Sequence, residues 1–369
     1  MFGRPMIFAG LAAASLAVPI APALAHTDLT LVNFGGTAAR AQILALLRPW
    51  EEKTGKRAEM LEYNGGIDDI RSQVEAANVT WDVVDMEYSD LILACEQGLL
   101  EKLDASMLPD SPDGASASTD FREGALHDCG IGNIVWATVY AFDGERMSGD
   151  APDSLGDFFD TDAFPGKRGV RRDPRGLLEW ALMADGVATD DVYAVLDTPD
   201  GVDRAFRVLE PMRQDILWWD SGSEPARLLA DEAVAMTMAW NGRLHRPLTV
   251  DEQSIEIVWD GQIWEYDLFA IPKGSRRKRE AMDFIEFATS TEKLADWTEY
   301  IPYGPARKSS AALVDPETAS RLPTDPANTA NALRYDSSWW ADNIEAIMPR
   351  FTAFAAPRSI VEGAKAGRF

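Results

Sequence analysis

Two carboxylates, Glu265 and Asp267, stand among the aromatics of the run Trp264-Glu-Tyr-Asp-Leu-Phe269. Burying carboxylates beside aromatic rings costs free energy unless the charges are paired or hydrogen-bonded. A strand of this composition either meets a cationic ligand or carries a structural ion pair. An ammonium over an indole face gains roughly 0.5–2 kcal/mol. A carboxylate closes the charge balance with a hydrogen bond about twice as strong as a neutral one. Other residues suit an anion. Gly35-Gly36 and Gly65-Gly66 each stand between a strand and a helix, where backbone N–H groups and the helix dipole attract negative charge. Arg175, two residues after Asp173, could clamp a carboxylate or pair with that Asp. Ordinary tight turns account for the glycines equally well.

Catalysis finds little support. The three histidines are His26, His127 and His245, and no G-x-S-x-G, H-E-x-x-H, Walker loop or G-x-G-x-x-G occurs. Gly130-Ile-Gly132 lacks the third glycine and the helix after it. The expectation is a binding protein without a cofactor, not an enzyme; a carboxylate-based hydrolase is the remote alternative. Cys95 and Cys129 are the only cysteines. In an oxidising compartment a disulfide is expected, closing a loop whose constraint stabilises by about 3–4 kcal/mol. A metal held by Cys95, His127 and Cys129 would lack a fourth ligand, and none is expected.

The elements that must position these residues alternate between short apolar runs and helical patterns, as in an α/β fold. Strands are expected over 29–33, 58–63 and 81–86, with helices over 37–53, from Gly66 through Ala77, and over 91–97. Beyond a polar loop at 109–119, the run 133–142 outlasts the usual strand of about 5–6 residues and reads as a crossing between lobes. A second α/β region follows: strands near 169–172, 233–240 and 255–259, and helices over 177–184 and 200–213. The run Trp264 to Ala288 is the return crossing, a turn at Ile271-Pro-Lys-Gly274, and a helix from near Arg276. The basic run Arg276-Arg-Lys-Arg279 reads as a solvated helix start.

The N-terminus has a basic Arg4, a mostly apolar stretch from Met6 to Ile20, and Ala23-Leu24-Ala25 before His26. This is a secretory signal, cleaved after Ala25 and too short for a membrane anchor, so a soluble periplasmic protein is expected. With 35 basic and 60 acidic side chains the formal charge is −25, and such a surface repels nucleic acid.

Val32-Asn-Phe-Gly35, Gly98-Leu-Leu-Glu-Lys-Leu103, Ala239-Trp-Asn-Gly242, Asp267-Leu-Phe-Ala-Ile-Pro272 and Ile301-Pro-Tyr-Gly304, in that order and spacing, carry a resemblance. The chain resembles periplasmic solute-binding proteins of ABC importers, most closely the spermidine/putrescine-binding type. The resemblance implies the type II fold, two lobes of mixed sheet and helices joined by crossing strands. The lobes would comprise 26–136 plus 268–318 and 137–267 plus 319–369. It implies a monomer that traps a small amine between the lobes and hands it to a membrane permease. Its ligand residues fall on Phe34, Tyr88, Asp173, Trp240, Asp267 and Tyr303, with Trp339 or Trp340 near a further contact. The chain departs from the pattern at two places: Gly176 stands where an acid is expected, and Glu265 where a tryptophan is. The acidic count is kept by relocation, or the ligand differs. With Arg175 and the glycine pairs, a zwitterion such as an ω-amino acid is the alternative to a polyamine.

Overall fold

The computed structural model describes residues 27–147, 149–245 and 254–357; the expected signal segment and its cleavage site lie outside them. In chain order the strands are β1 (Leu29–Asn33), β2 (Ala58–Glu62), β3 (Val83–Glu87), β4 (Leu126–His127) and β5 (Gly130–Asp143). They continue as β6 (Arg168–Arg171), β7 (Ile216–Trp219), β8 (Met236–Trp240), β9 (Ile255–Ala270), β10 (Gly304–Pro305) and β11 (Leu333–Arg334). All belong to one sheet of order β2-β1-β3-β9-β5-β8-β6-β7, with β4 and β10 on β5 and β11 on β9.

At one end of the sheet β1 pairs in parallel with β2 and β3; at the other, β6 pairs in parallel with β7 and β8. Parallel strands need covered faces, which is why β1 and β3 are buried at every position. Between the ends, β5 and β9 run antiparallel from Gly130↔Ala270 to Asp143↔Ile255. β3 attaches to the last residues of β9 through Glu87↔Asp267, and β8 to the later half of β5 through Thr138↔Trp240. The two lobes therefore share their central strands. The ladder shifts register between Gly132 and Ile134 and again between Thr138 and Tyr140. Each irregularity bends the strand, and the pair brackets the crossing where Trp136 and Asp267 sit.

Three departures of the structure from the sequence reading concern the sheet and its first helix. Ile255–Trp259 and the segment from Trp264 are one sixteen-residue strand, which accommodates Gly261 at φ 72° rather than ending there. Ile216–Trp219 is a strand that was not anticipated, because four residues carry too little alternation to register. The first helix contains a π turn, Ile43–Leu47, between Gly36–Gln42 and Arg48–Thr54, and ends at Gly55 in the left-handed conformation (φ 70°).

The Cys95–Cys129 disulfide is formed, with Cα atoms 5.9 Å apart, and ties the Tyr88–Glu96 helix to the start of β5. The long Ser337–Ala355 helix packs on that same helix at the first lobe. Farther along it, Phe351 and Phe354 make edge contacts with Trp218 and Phe206 of the second. Among the described residues no helix is long and apolar enough to cross a membrane.

Candidate functional site

The strand ends at the crossing bring a dense set of charges together. Asp85 and Glu87 lie two apart on β3, so both project to one face at its C-terminal end. Glu265 and Asp267 do the same on β9, and Asp267 is the register partner of Glu87. The end of β6 supplies Arg171 and the turn after it Asp173 and Arg175; the end of β8 supplies Trp240 and the turn after it Arg243.

One side of this cluster is fully paired. Glu87 accepts from Arg171 through Oε1 and from Arg175 through Oε2, both at 2.8 Å. Arg175 also reaches Asp90 at 3.0 Å and Ser89 Oγ at 3.2 Å, and holds Asp173 through Nε and Nη2. Burial works against ionisation of Asp173, yet Arg175 and Arg171 outweigh it and hold the carboxyl well below its ordinary value. These bonds join the two ends of the sheet, since Glu87, Ser89 and Asp90 lie at the end of β3 and in the helix after it, and the arginines at the end of β6 and in the turn after it.

The other side is not paired. Asp267 accepts from the indole N–H of Trp136 at 2.7 Å and makes no ion pair among the described residues. Asp85 accepts from Asn133 at 2.6 Å and Gln42 at 2.5 Å. Burial, opposed by those two amides, pushes Asp85 up to about 7. Burial also raises Asp267 well above the ordinary carboxylate range, and Asp85, Glu87 and Glu265 add to it. Glu265 accepts from Ser89 N–H and the Ser337 hydroxyl and is raised by burial and then by Glu87.

Aromatic rings enclose this side. Trp240 meets Phe34, Trp136 and Trp219 edge-on at centroid distances of 5.7–6.0 Å. The Arg171 and Arg243 guanidiniums lie 4.9 and 5.5 Å from its ring centroid. Gly222 and Gly242 allow the packing: a Cβ on either would meet the Trp240 or the Tyr303 ring at 2.3 and 2.5 Å. Asn241 locks the turn by accepting from Ala137 N–H and donating to Pro302 O. Arg243 donates to the carbonyls of Gly35 and Phe34 through its two terminal nitrogens, while its Nε has no partner among the described residues. The indole N–H of Trp219 is likewise buried without an acceptor.

The expected site residues are thus distributed unevenly. Phe34, Trp240, Asp267 and Tyr303 line one small cavity with Asp85, Glu87, Trp136 and Arg243. Arg175 and Glu265 line an adjoining one, which shares Glu87, Trp136 and Trp240 and contains Gly176 and Trp219. Tyr88 faces a separate, larger cavity. Asp173 is engaged by Arg175. Trp340 is not brought to the cluster: it is fully buried and donates to Glu179. Three of the glycine N–H groups are occupied by the chain's own side chains, Gly35 by Asn33, Gly36 by Glu62 and Gly66 by Asp90. The basic run is paired too, Arg277 with Asp82 and Lys278 with Glu101. Sequence reasoning missed Asp85, Glu87, Arg171 and Arg243. The available signal was a pair of acids at alternate positions in the otherwise apolar Val83-Val-Asp-Met-Glu87, which a buried strand tolerates only with partners.

Residues 45–330 match the family model for bacterial extracellular solute-binding proteins. The gamma-aminobutyric acid-binding protein of Pseudomonas aeruginosa is 36% identical over 350 residues, 95% of this chain and 97% of that one. The solved Atu4243 GABA receptor is 33% identical, with a TM-score of 0.77 over 89% of this chain and 98% of its own. The spermidine/putrescine-binding protein PotD of Streptococcus pneumoniae covers 90% of this chain and all of its own with a TM-score of 0.68, but at 15% identity it shares the fold alone. The resemblance to the polyamine type is therefore one of architecture. The chain belongs to the bacterial extracellular solute-binding proteins of ABC importers, with the two-lobed type II fold, and is a binding protein rather than an enzyme.

Proposed function

We propose that the inner cleft captures a zwitterionic ω-amino acid of the γ-aminobutyrate kind. Its ammonium meets Asp267 and Asp85, its carboxylate meets Arg243 and Trp219, and its methylenes lie on Trp240. One observation carries this reading: Arg243 Nε and Trp219 Nε1 are buried donors without acceptors, packed around Trp240. Buried donors are rarely left unmade. A carboxylate supplies acceptors for both, and a polyamine supplies none. The excess of carboxylates over arginines in the cluster keeps the polyamine as a second reading. The relatives whose names specify γ-aminobutyrate support the zwitterion.

Capture closes the lobes because the ligand touches both, so its differential affinity shifts the open–closed equilibrium. The loaded monomer, exported to the periplasm, then delivers the solute to its permease. The lobes divide within β5 and β9, near Trp136 and Asp267. In a thermal-shift and calorimetric screen, γ-aminobutyrate is expected to raise the melting temperature and bind one-to-one, with putrescine and spermidine weaker. Tighter binding of putrescine would reverse the assignment.

A further inference from the structure

Beyond the inner cleft lies a cavity of about 680 Å³ walled by Tyr88, Tyr193, Trp264 and Tyr266. Its size falls within the roughly 300–1,000 Å³ typical of small-molecule sites. Glu265 and Tyr335 line both this cavity and the inner cleft, so they form the partition between them. Two features of the partition point to a ligand. Glu265 is 3% exposed, and its hydrogen bonds from Ser89 and Ser337 both fall on Oε1; no cation pairs with it among the described residues. The Tyr335 hydroxyl, on a side chain 7% exposed, has no partner.

The wall chemistry sets the ligand class. Asp190 and Asp336 add negative charge at the opening, against one cation, Arg334. That guanidinium already lies 5.3 Å from the Trp264 ring centroid, so the wall supports a cation–π contact as built. We propose that this outer cavity is a second ligand site that takes an organic monocation, its ammonium on Glu265 and the Tyr335 hydroxyl and its apolar body among Tyr88, Tyr193, Trp264 and Tyr266. The site does not depend on which solute fills the inner cleft.

Benzylamine is a suitable probe, titrated calorimetrically into the full mature protein. Binding is expected, with Glu265→Gln, Trp264→Ala and Tyr193→Ala each weakening it by about tenfold or more. Trp264 and Tyr193 come from different elements, so a folding defect in one variant leaves the other informative. Asp267→Asn, on the inner side only, is expected to leave benzylamine affinity unchanged. Absence of binding up to about 10 mM overturns the proposal. So does loss of binding in Asp267→Asn with Trp264→Ala and Tyr193→Ala unaffected, because the probe would then occupy the inner cleft.

Discussion

The two flanks of the acidic cluster are built from the same residue types and treat charge in opposite ways. On the Arg175 flank the carboxylates are paired at 2.7–3.0 Å, Glu87 and Asp90 from the β3 end of the sheet and Asp173 from Arg175's own turn. On the Asp267 flank the carboxylates are held by an indole and two amides, and donors a short distance away lack acceptors. A saturated flank has nothing to offer a solute and acts as a fastening between lobes. An unsaturated flank carries a desolvation cost that a ligand of the right charges removes. The proposed recognition accordingly falls where the protein is electrostatically incomplete.

The largest effect that would break this contrast is on the saturated flank. Arg175→Ala leaves Glu87, Asp90 and Asp173 buried with one cation fewer, and removing one partner of a buried pair costs about 3–5 kcal/mol. Denaturant unfolding should show that loss; a change near zero would mean the network contributes nothing net. Next, Asp267→Ala is expected to weaken the cognate ligand by about 100-fold with unfolding free energy little changed. Lost stability with intact affinity would instead mark Asp267 as structural.

Per pH unit, the smallest effect is a difference in slope. Asp85 has a raised folded value, so its contribution is fully present below its unfolded value of 3.8 and is lost as pH rises through about 7. Asp173 is depressed, so its contribution is present above 3.8 and is lost as pH falls through its lower folded value. Relative to the parent, Asp85→Asn should gain stability between pH 4 and 7 by at most about 1.4 kcal/mol per pH unit. Asp173→Asn should show no such gain over that range. Parallel slopes for the two variants would erase the distinction between the flanks.

Much of the scaffold was legible because its signals are local. β1 at Leu29–Asn33 and the helix Leu177–Ala184 coincide with their expected bounds, each set by an apolar run ended by glycine or polar residues. The long run before Phe142 announced a crossing strand by length alone. Of the residues lining the inner cavity, the family strings reached Trp240, Asp267, Tyr303 and Phe34. Arg243 was not legible, although it follows Trp240-Asn-Gly directly, because a surface arginine after a turn has the same local signature. Its burial depends on Phe34 and Gly35, more than two hundred residues away in sequence. Trp340 lies away from the cluster for a related reason. On a helix, neighbours one apart face different ways: Trp340 turns inward to Glu179 on a distant helix, and Trp339 donates to Asp197.

The shared central strands and the Ser337–Ala355 helix have a consequence for how the molecule comes apart. The second end of the sheet is inserted in the chain between portions of the first, and the terminal helix rests on both. No single cut of the backbone releases either half with its sheet and cover intact. Scanning calorimetry should accordingly record one heat-absorption peak with equal calorimetric and van't Hoff enthalpies, and limited proteolysis should yield no persistent half-molecule.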